Sequence, residues 1–406
     1  MKVLMNAGPW LPVPPTGYGG IENIVATLIP PLRERGVHVV LASVGGTSIE
    51  ADELLGVYGE GQFEHLQKPY NQVMGIAHAH QARLVAELLR RDDIDLVHDH
   101  LEVVGPAVLS AFGGPPVLHT LHWDLRKHAE FYRSFPASIA VNGVSDSQLR
   151  RAPAALRAAS LGSVHLATPL AGADVRVPRG EHLVVMGRVC ALKGQHVAAR
   201  ICRALGLPLV LAGPVSGLDG PAELDAVTAD PGHPLNGHPD VRYHAEQVAP
   251  LLDGDLIRWV GAVGGEDRDR LYASARAALF PIQWDEPGGT AVVEALALGV
   301  PPIGLRRGVL PEIIDHGRTG LLADTEEELA EMVLRAGEID PEECRREART
   351  RFSPAVMADR YLELYERAAA RAPRRGARRE RRPGRRHGPA AQRDPAGPVA
   401  SPAAGA

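Results

Sequence analysis

Short apolar runs alternate with helical patterns along nearly the whole chain, and this alternation restricts it to parallel α/β layers. In the first half the runs fall at 3–6, 37–43, 96–98, 117–121 and 139–144, with helical spacing near 21–34, 77–90 and 145–159. In the second half they fall at 183–186, 209–211, 256–260, 277–281, 302–305 and 320–322. Helices there are expected near 194–204, 267–273, 290–298 and 326–336. At 406 residues the chain exceeds what one hydrophobic core supports, so two such domains are expected. The pattern pauses at 168–180, rich in Pro, Gly and Ala, which places the link between domains. A second irregular stretch, 216–240, is long for a loop inside a compact domain, and so is read as functional or mobile. Helical spacing returns over 353–367, with Met357, Tyr361, Leu364 and Tyr365 on or near one face.

Charge is distributed unevenly. The net charge is -5, yet ten arginines lie between 371 and 406 against only Glu380 and Asp394. The remainder therefore carries about -13, which argues against general nucleic-acid binding by the folded part. The Arg/Pro/Ala/Gly tail has too little apolar surface to fold and is expected to be disordered. Contact with RNA, anionic lipid or an acidic partner, or no fixed role at all, stays open for it. The chain begins on a strand, without the apolar run and cleavage site of a signal peptide, and no stretch is long enough to span a bilayer. Three scattered cysteines, Cys190, Cys202 and Cys344, show no metal-ligand spacing. A cytoplasmic location and no metal site are expected.

Chemistry concentrates at 285–304. Glu286 lies in a Gly-rich loop and Glu294 two turns on, along the helix that follows. The order is strand, glycine loop, helix, so the N–H groups of Gly288, Gly289, Thr290 and Ala291 point out of a helix N-terminus. Such an end carries roughly half a positive charge and favours phosphate. A carboxylate beside it repels phosphate and needs another purpose, such as accepting hydrogen bonds from sugar hydroxyls. Arg188 and Lys193 sit at the carboxyl end of the strand 183–186, where open α/β sheets bind ligands, and both have the reach and charge to hold a diphosphate.

Other loops are less specific. Gly261, after the run 256–260, opens a loop able to bind a nucleobase edge or simply to turn the chain. Gly19 and Gly20 open the first helix and would let backbone approach a phosphate, although the loop is neither a Walker loop nor the dinucleotide fingerprint. His98-Asp99-His100 lacks a clear third and fourth metal ligand and is read as a cleft-lining loop. His122 ends another strand; it faces the cleft or is merely packed.

Together these motifs resemble the glycosyltransferases of family 4, retaining enzymes of the α/β GT-B fold, over roughly residues 1–367. They are most similar to bacterial members with a Pro-Pro stretch before a Tyr-Gly-Gly-hydrophobic-Glu loop, here Pro14-Pro15-Thr16-Gly17-Tyr18-Gly19-Gly20-Ile21-Glu22. The Gly187-Arg188 pair, Lys193-Gly194, the two glutamates and the run from Pro311 to Gly320 carry the rest of the likeness. The resemblance implies two Rossmann-like domains facing each other across a cleft. Residues 1–168 would form the acceptor side, 178–352 the nucleotide-sugar side, and 353–370 a helix crossing back to the first domain, ahead of the tail 371–406.

It also implies roles. Arg188 and Lys193 would hold the donor diphosphate, Glu286 the donor sugar and Glu294 the ribose. Gly19 and Gly20 would press on the phosphates, and His122 would stand near the anomeric carbon. The expected reaction is metal-independent transfer of a hexosyl unit from a nucleoside diphosphate sugar, UDP-linked, to a hydroxyl acceptor, with no cofactor beyond that co-substrate. The alternatives are a GT-B phosphorylase, a sugar-nucleotide epimerase, a cyclitol-coupling enzyme, or a silent nucleotide-sugar-binding protein. Where family members carry Glu-Pro-Phe-Gly this chain has Glu286-Pro287-Gly288-Gly289, which would enlarge or loosen the wall near the donor sugar. The segment 165–174 also departs from the family pattern, and 216–240 reads as an insertion. The acceptor would be met by first-domain loops near 9–18, 98–104 and 122–131.

Overall fold

The computed structural model describes residues 1–17 and 19–371. Seven strands form the first sheet: β1 (Lys2–Asn6), β2 (His38–Ser43), β3 (Glu53–Gly56), β4 (Leu96–Asp99), β5 (Val117–Leu121), β6 (Ala140–Gly143) and β7 (Ser160–Ser163). Six form the second: β8 (Leu183–Met186), β9 (Leu209–Ala212), β10 (Ile257–Trp259), β11 (Ala277–Phe280), β12 (Pro302–Leu305) and β13 (Leu321–Ala323). The sheet orders are β3-β2-β1-β4-β5-β6-β7 and β10-β9-β8-β11-β12-β13. Neighbouring strands pair in parallel, as in β1 with β2 and β4 and in β8 with β9 and β11. Each sheet reverses its winding once, between β1 and β4 and between β8 and β11. Ligands in such sheets bind beyond the carboxyl ends of the strands at that reversal.

The apolar runs become strands because both faces of each sheet are covered. In β1 and β2, Val3, Met5, Val39 and Leu41 face one cluster, with Val25, Leu28 and Leu32 of the helix Gly20–Glu34. Leu4, Val40 and Ala42 face the other, with Leu84 and Leu88. That alternation is the two-residue period of a strand. The second domain has one continuous core around β8, β9, β11 and β12.

The helix Pro354–Arg371 leaves the second domain and packs on the first, burying Met357, Tyr361, Leu364, Tyr365 and Ala368 in the first-domain cluster. Their spacing forms one helical stripe. The Arg-rich tail expected over 371–406 lies outside the described residues from 372 on. Arg371 itself still belongs to this helix and donates to the Ala159 carbonyl at 3.0 Å.

Three expectations change. The edge strands β3 and β7 were not anticipated. The single helix expected at 145–159 is two, Asp146–Arg150 and Ala154–Ala159, separated around Pro153. The stretch 216–240 is not a structureless loop: it contains the helix Pro221–Ala229, whose Leu224 and Val227 are buried, Leu224 within the second-domain core. Among the described residues no helix is long and apolar enough to cross a membrane.

Candidate functional site

The turn after β8 approaches the end of β11 closely. Gly194 has φ +71, and a Cβ there would stand 2.0 Å from the Pro281 carbonyl oxygen, so only glycine fits. The Gln283 N–H donates to the Leu192 carbonyl at 2.8 Å and fastens the two loops together. Lys193 is thereby delivered to Glu286, its Nζ 2.7 Å from Oε2. Trp284 donates its indole N–H to the same Oε2 at 3.0 Å. Among the described residues both contacts fall on Oε2, and Oε1 is left to accept from something else.

Helix Thr290–Ala297 follows, with Gly289 as its left-handed N-cap. No hydrogen bond within the protein is accepted from the N–H groups of Gly288, Gly289, Thr290 or Ala291 among the described residues. These free donors and the positive helix end lie beside Lys193 and Glu286, an arrangement that suits an anion next to a polyhydroxyl group. One turn further on, the Glu294 carboxylate is held by Arg268 through Oε2. Burial pushes its carboxyl up, against the opposing pull of Arg268. Arg188, beyond β8, is half-exposed and paired with Asp240 at 2.9 Å. The segment read as an insertion thus ends on a carboxylate that occupies the guanidinium expected to meet phosphate.

The glycines divide by surroundings. Gly261 has φ +74, and a Cβ would lie 2.2 Å from the Asp219 carbonyl oxygen. That oxygen accepts from the Ala262 N–H at 2.7 Å, so the close approach of two loops requires this glycine. A Cβ on Gly19 would meet Pro15 at 2.6 Å, whereas Gly20 opens onto free space. At Gly288 the expected widening does not occur: Leu166 of the first domain stands where a side chain would begin, its Cδ1 2.6 Å from an ideal Cβ. Leu166 belongs with Ile24 and Val144 to a small apolar cluster, so the aromatic ring's place is taken from across the cleft.

The histidines of the first domain form a buried network. His98 and Asp99 lie within β4 and are fully buried rather than in a cleft-lining loop. His98 bonds Tyr365 Oη and Thr120 Oγ1, both at 2.8 Å. Asp99 accepts from Asn6 at 2.7 Å and meets His119 at 2.6 Å. Every polar atom of this pair of side chains that could ligate a metal is therefore turned inward on protein partners. His122, half-buried after β5, shares a proton-bearing contact with His100, Nε2 to Nδ1 at 2.8 Å. Burial, with His119 nearby, pushes the His122 imidazole down to about 3, so it is neutral at ordinary pH. The first-domain switch point thus holds a buried polar network around Asp99, and the second-domain one a set of paired charges.

Comparison with known proteins matches both halves. The family model for glycosyl transferases group 1 covers residues 179–353, and that for Glycosyltransferase Family 4 covers residues 18–156. The chain is a family 4-like glycosyltransferase. The D-inositol 3-phosphate glycosyltransferase of Pseudarthrobacter chlorophenolicus is 26% identical over 75% of this chain and 78% of its own length. A shorter match, 29% identical over 125 residues, spans about a third (33%) of spore coat protein SA of Bacillus subtilis. Among solved structures, the avilamycin A biosynthesis glycosyltransferase AviGT4 is 27% identical, with a TM-score of 0.60 over 91% of this chain and 98% of that one. Sucrose-phosphate synthase from Thermosynechococcus elongatus, 19% identical, shares the GT-B fold at a TM-score of 0.68 over 91% of this chain and 99% of that one.

In this glycosyltransferase the sequence pointed to Arg188, Lys193, Glu286 and Glu294 but not to the side chains that hold three of them. Asp240 and Arg268 come from segments 52 and 26 residues away in sequence. Neither carried a local signal. Trp284 did: it stands two residues before Glu286 in the same loop, and a partly buried tryptophan commonly needs an acceptor for its N–H.

Proposed function

We propose that this glycosyltransferase moves a hexosyl unit from a nucleoside diphosphate sugar, UDP-linked, to a hydroxyl acceptor with retention at the anomeric carbon, in the cytoplasm. The observation that carries this reading is the Lys193–Glu286 pair beside the free N–H groups of the helix Thr290–Ala297. A diphosphate seated there meets Lys193 and the helix end. Arg188 joins them when it leaves Asp240. The Glu286 Oε1 accepts from a sugar hydroxyl, and the Glu294 Oε1 from the ribose.

The C1–O bond to the leaving phosphate breaks while a C1–O bond to the acceptor forms on the same face. The acceptor's proton passes to the departing diphosphate. Negative charge grows on that diphosphate, where Lys193 and a helix N-terminus already stand and Arg188 is within reach once released from Asp240. This reading calls on no metal, because those groups supply the positive field. Neutral His122 lines the acceptor side and contributes a polar contact, not a proton.

Thermal shift and calorimetry with UDP, GDP, ADP and their hexose conjugates test the donor. One nucleotide should raise the melting point, and Glu294→Ala should weaken it about tenfold or more. Lys193→Ala should lower turnover by at least about a hundredfold. A cooperatively folded protein that binds none of these ligands overturns the reading. Free sugar phosphate or an epimerised donor among the products would point instead to a phosphorylase or an epimerase, and binding without turnover to a silent binding protein.

A further inference from the structure

Glu312 belongs to the second domain, on the short helix Leu310–Ile313, but its carboxylate is spent on the first. Oε2 accepts from the Asp146 N–H at 3.0 Å and meets His165 Nε2 at 2.9 Å. Oε1 accepts from the Ser147 N–H and from Arg150 at 3.3 Å. Asp146 and Ser147 open the helix Asp146–Arg150, so these N–H groups have no acceptor inside their own helix. The side chain is only 15% exposed, and four first-domain donors converge on it.

The backbone of the same segment holds the donor loop. The Val309 N–H donates to the Glu286 carbonyl at 2.8 Å, and a Cβ on Gly308 would stand 2.3 Å from the Glu286 nitrogen. Val309 and Ile313 side chains close on Gly289. At its other end the Glu312 carbonyl accepts from Arg351 at 2.8 Å, immediately before the crossing helix. The two domain crossings touch here as well, the Thr168 N–H donating to the Phe352 carbonyl at 3.1 Å.

We propose that Glu312 is a positioning residue that latches the first domain closed and, through Val309 and Gly308, sets the place of Glu286. The carboxylate stays ionised: burial alone would raise its pKa, but His165 and the two N–H groups more than offset this and hold it below the usual carboxylate range. Removing one partner of such a buried cluster leaves the others uncompensated. Closure in two-domain enzymes turns on a few such contacts near the hinge. The effect on turnover rests on the proposed transferase activity; the latch itself does not.

Full-length Glu312→Ala, Glu312→Gln and His165→Ala proteins test this. Hydrogen exchange over 145–150 and the radius of gyration from X-ray scattering read the latch directly. In Glu312→Ala exchange should rise at least about tenfold and the radius should increase. UDP affinity should stay within about twofold, because Arg188, Lys193 and Glu294 all lie in the second domain, while kcat falls about tenfold or more. Glu312→Gln should fall between, since an amide still accepts one N–H. Unchanged exchange and radius in Glu312→Ala overturn the latch, and unchanged kcat in an opened protein overturns its positioning role. If Glu312→Ala fails to fold, His165→Ala, which removes one donor from the first-domain side, decides by the same readouts. A wild-type protein that neither binds UDP nor turns over a donor would refute the transferase reading while the exchange and scattering comparison still judged the latch.

Discussion

Glu22 is a carboxylate placed where water hardly reaches it. It sits in the first turn of the helix Gly20–Glu34, 5% exposed, and burial pushes its carboxyl up to about 7. The folded state therefore binds its proton more tightly than the unfolded chain does. Stability from this group is fully present below the unfolded value of 4.5 and is lost as pH rises toward 7. The gap corresponds to at most roughly 3 kcal/mol. Glu22→Gln, which is neutral at every pH, should raise the melting temperature by several degrees near pH 8 and leave it nearly unchanged near pH 4. A melting series across that range checks it; equal shifts at both ends would refute it. The sequence marked Glu22 as the last letter of a motif but carried no sign of its protonation, because desolvation depends on what folds over it.

At the scale of the element, the crossing helix shows what a pattern can and cannot carry. Its apolar stripe announced Met357, Tyr361, Leu364 and Tyr365 as one buried face. The stripe did not say that two tyrosine hydroxyls would enter the polar heart of the first domain. Tyr365 Oη meets His98 Nδ1 at 2.8 Å, and Tyr361 Oη lies 3.3 Å from Thr120 and 3.4 Å from Asn142. Tyr365→Phe leaves a fully buried imidazole nitrogen without a partner and should cost about 1–3 kcal/mol. A urea titration would show it as a lower midpoint with an unchanged slope. An unaltered midpoint would mean that the hydroxyl contributes nothing net. Several of the elements missed have little apolar content, whereas the helix Val104–Phe112 was missed although it is almost wholly apolar. β3 has one apolar pair between Glu53 and Gly56, β7 a single leucine, and the helix Pro341–Arg351 buries only Cys344, Glu347 and Ala348. Edge strands and surface helices need few hydrophobic residues, so periodicity has little to register.

Across the whole molecule, the two domains meet where the donor loop meets Leu166 and Val144. Restoring an aromatic ring by Gly288→Phe would drive it into Leu166, an overpacking expected to cost about 1–3 kcal/mol. The melting temperature should fall, and Leu166→Ala in the same chain should recover at least half of the loss. No recovery would show that the two positions do not share that space. The aligned charges at this junction, Arg151 with Asp285 at 3.4 Å and Glu312 with His165 at 2.9 Å, come from distant segments.

The alternation of apolar runs with helical spacing was enough to determine two parallel sheets, and strand–glycine–helix order was enough to put Arg188, Lys193 and Glu286 beyond the carboxyl ends of strands and Glu294 on the helix that follows. Both follow from local rules: hydrophobic period and the dipole of a helix end act within a few residues of chain. What tertiary structure alone decided is who holds those residues. Asp240 on Arg188, Arg268 on Glu294, Leu166 against Gly288 and four first-domain donors on Glu312 depend on contacts between segments far apart in sequence. Each partner is an ordinary residue in its own neighbourhood, and burial and charge pairing become visible only once the fold has brought them together.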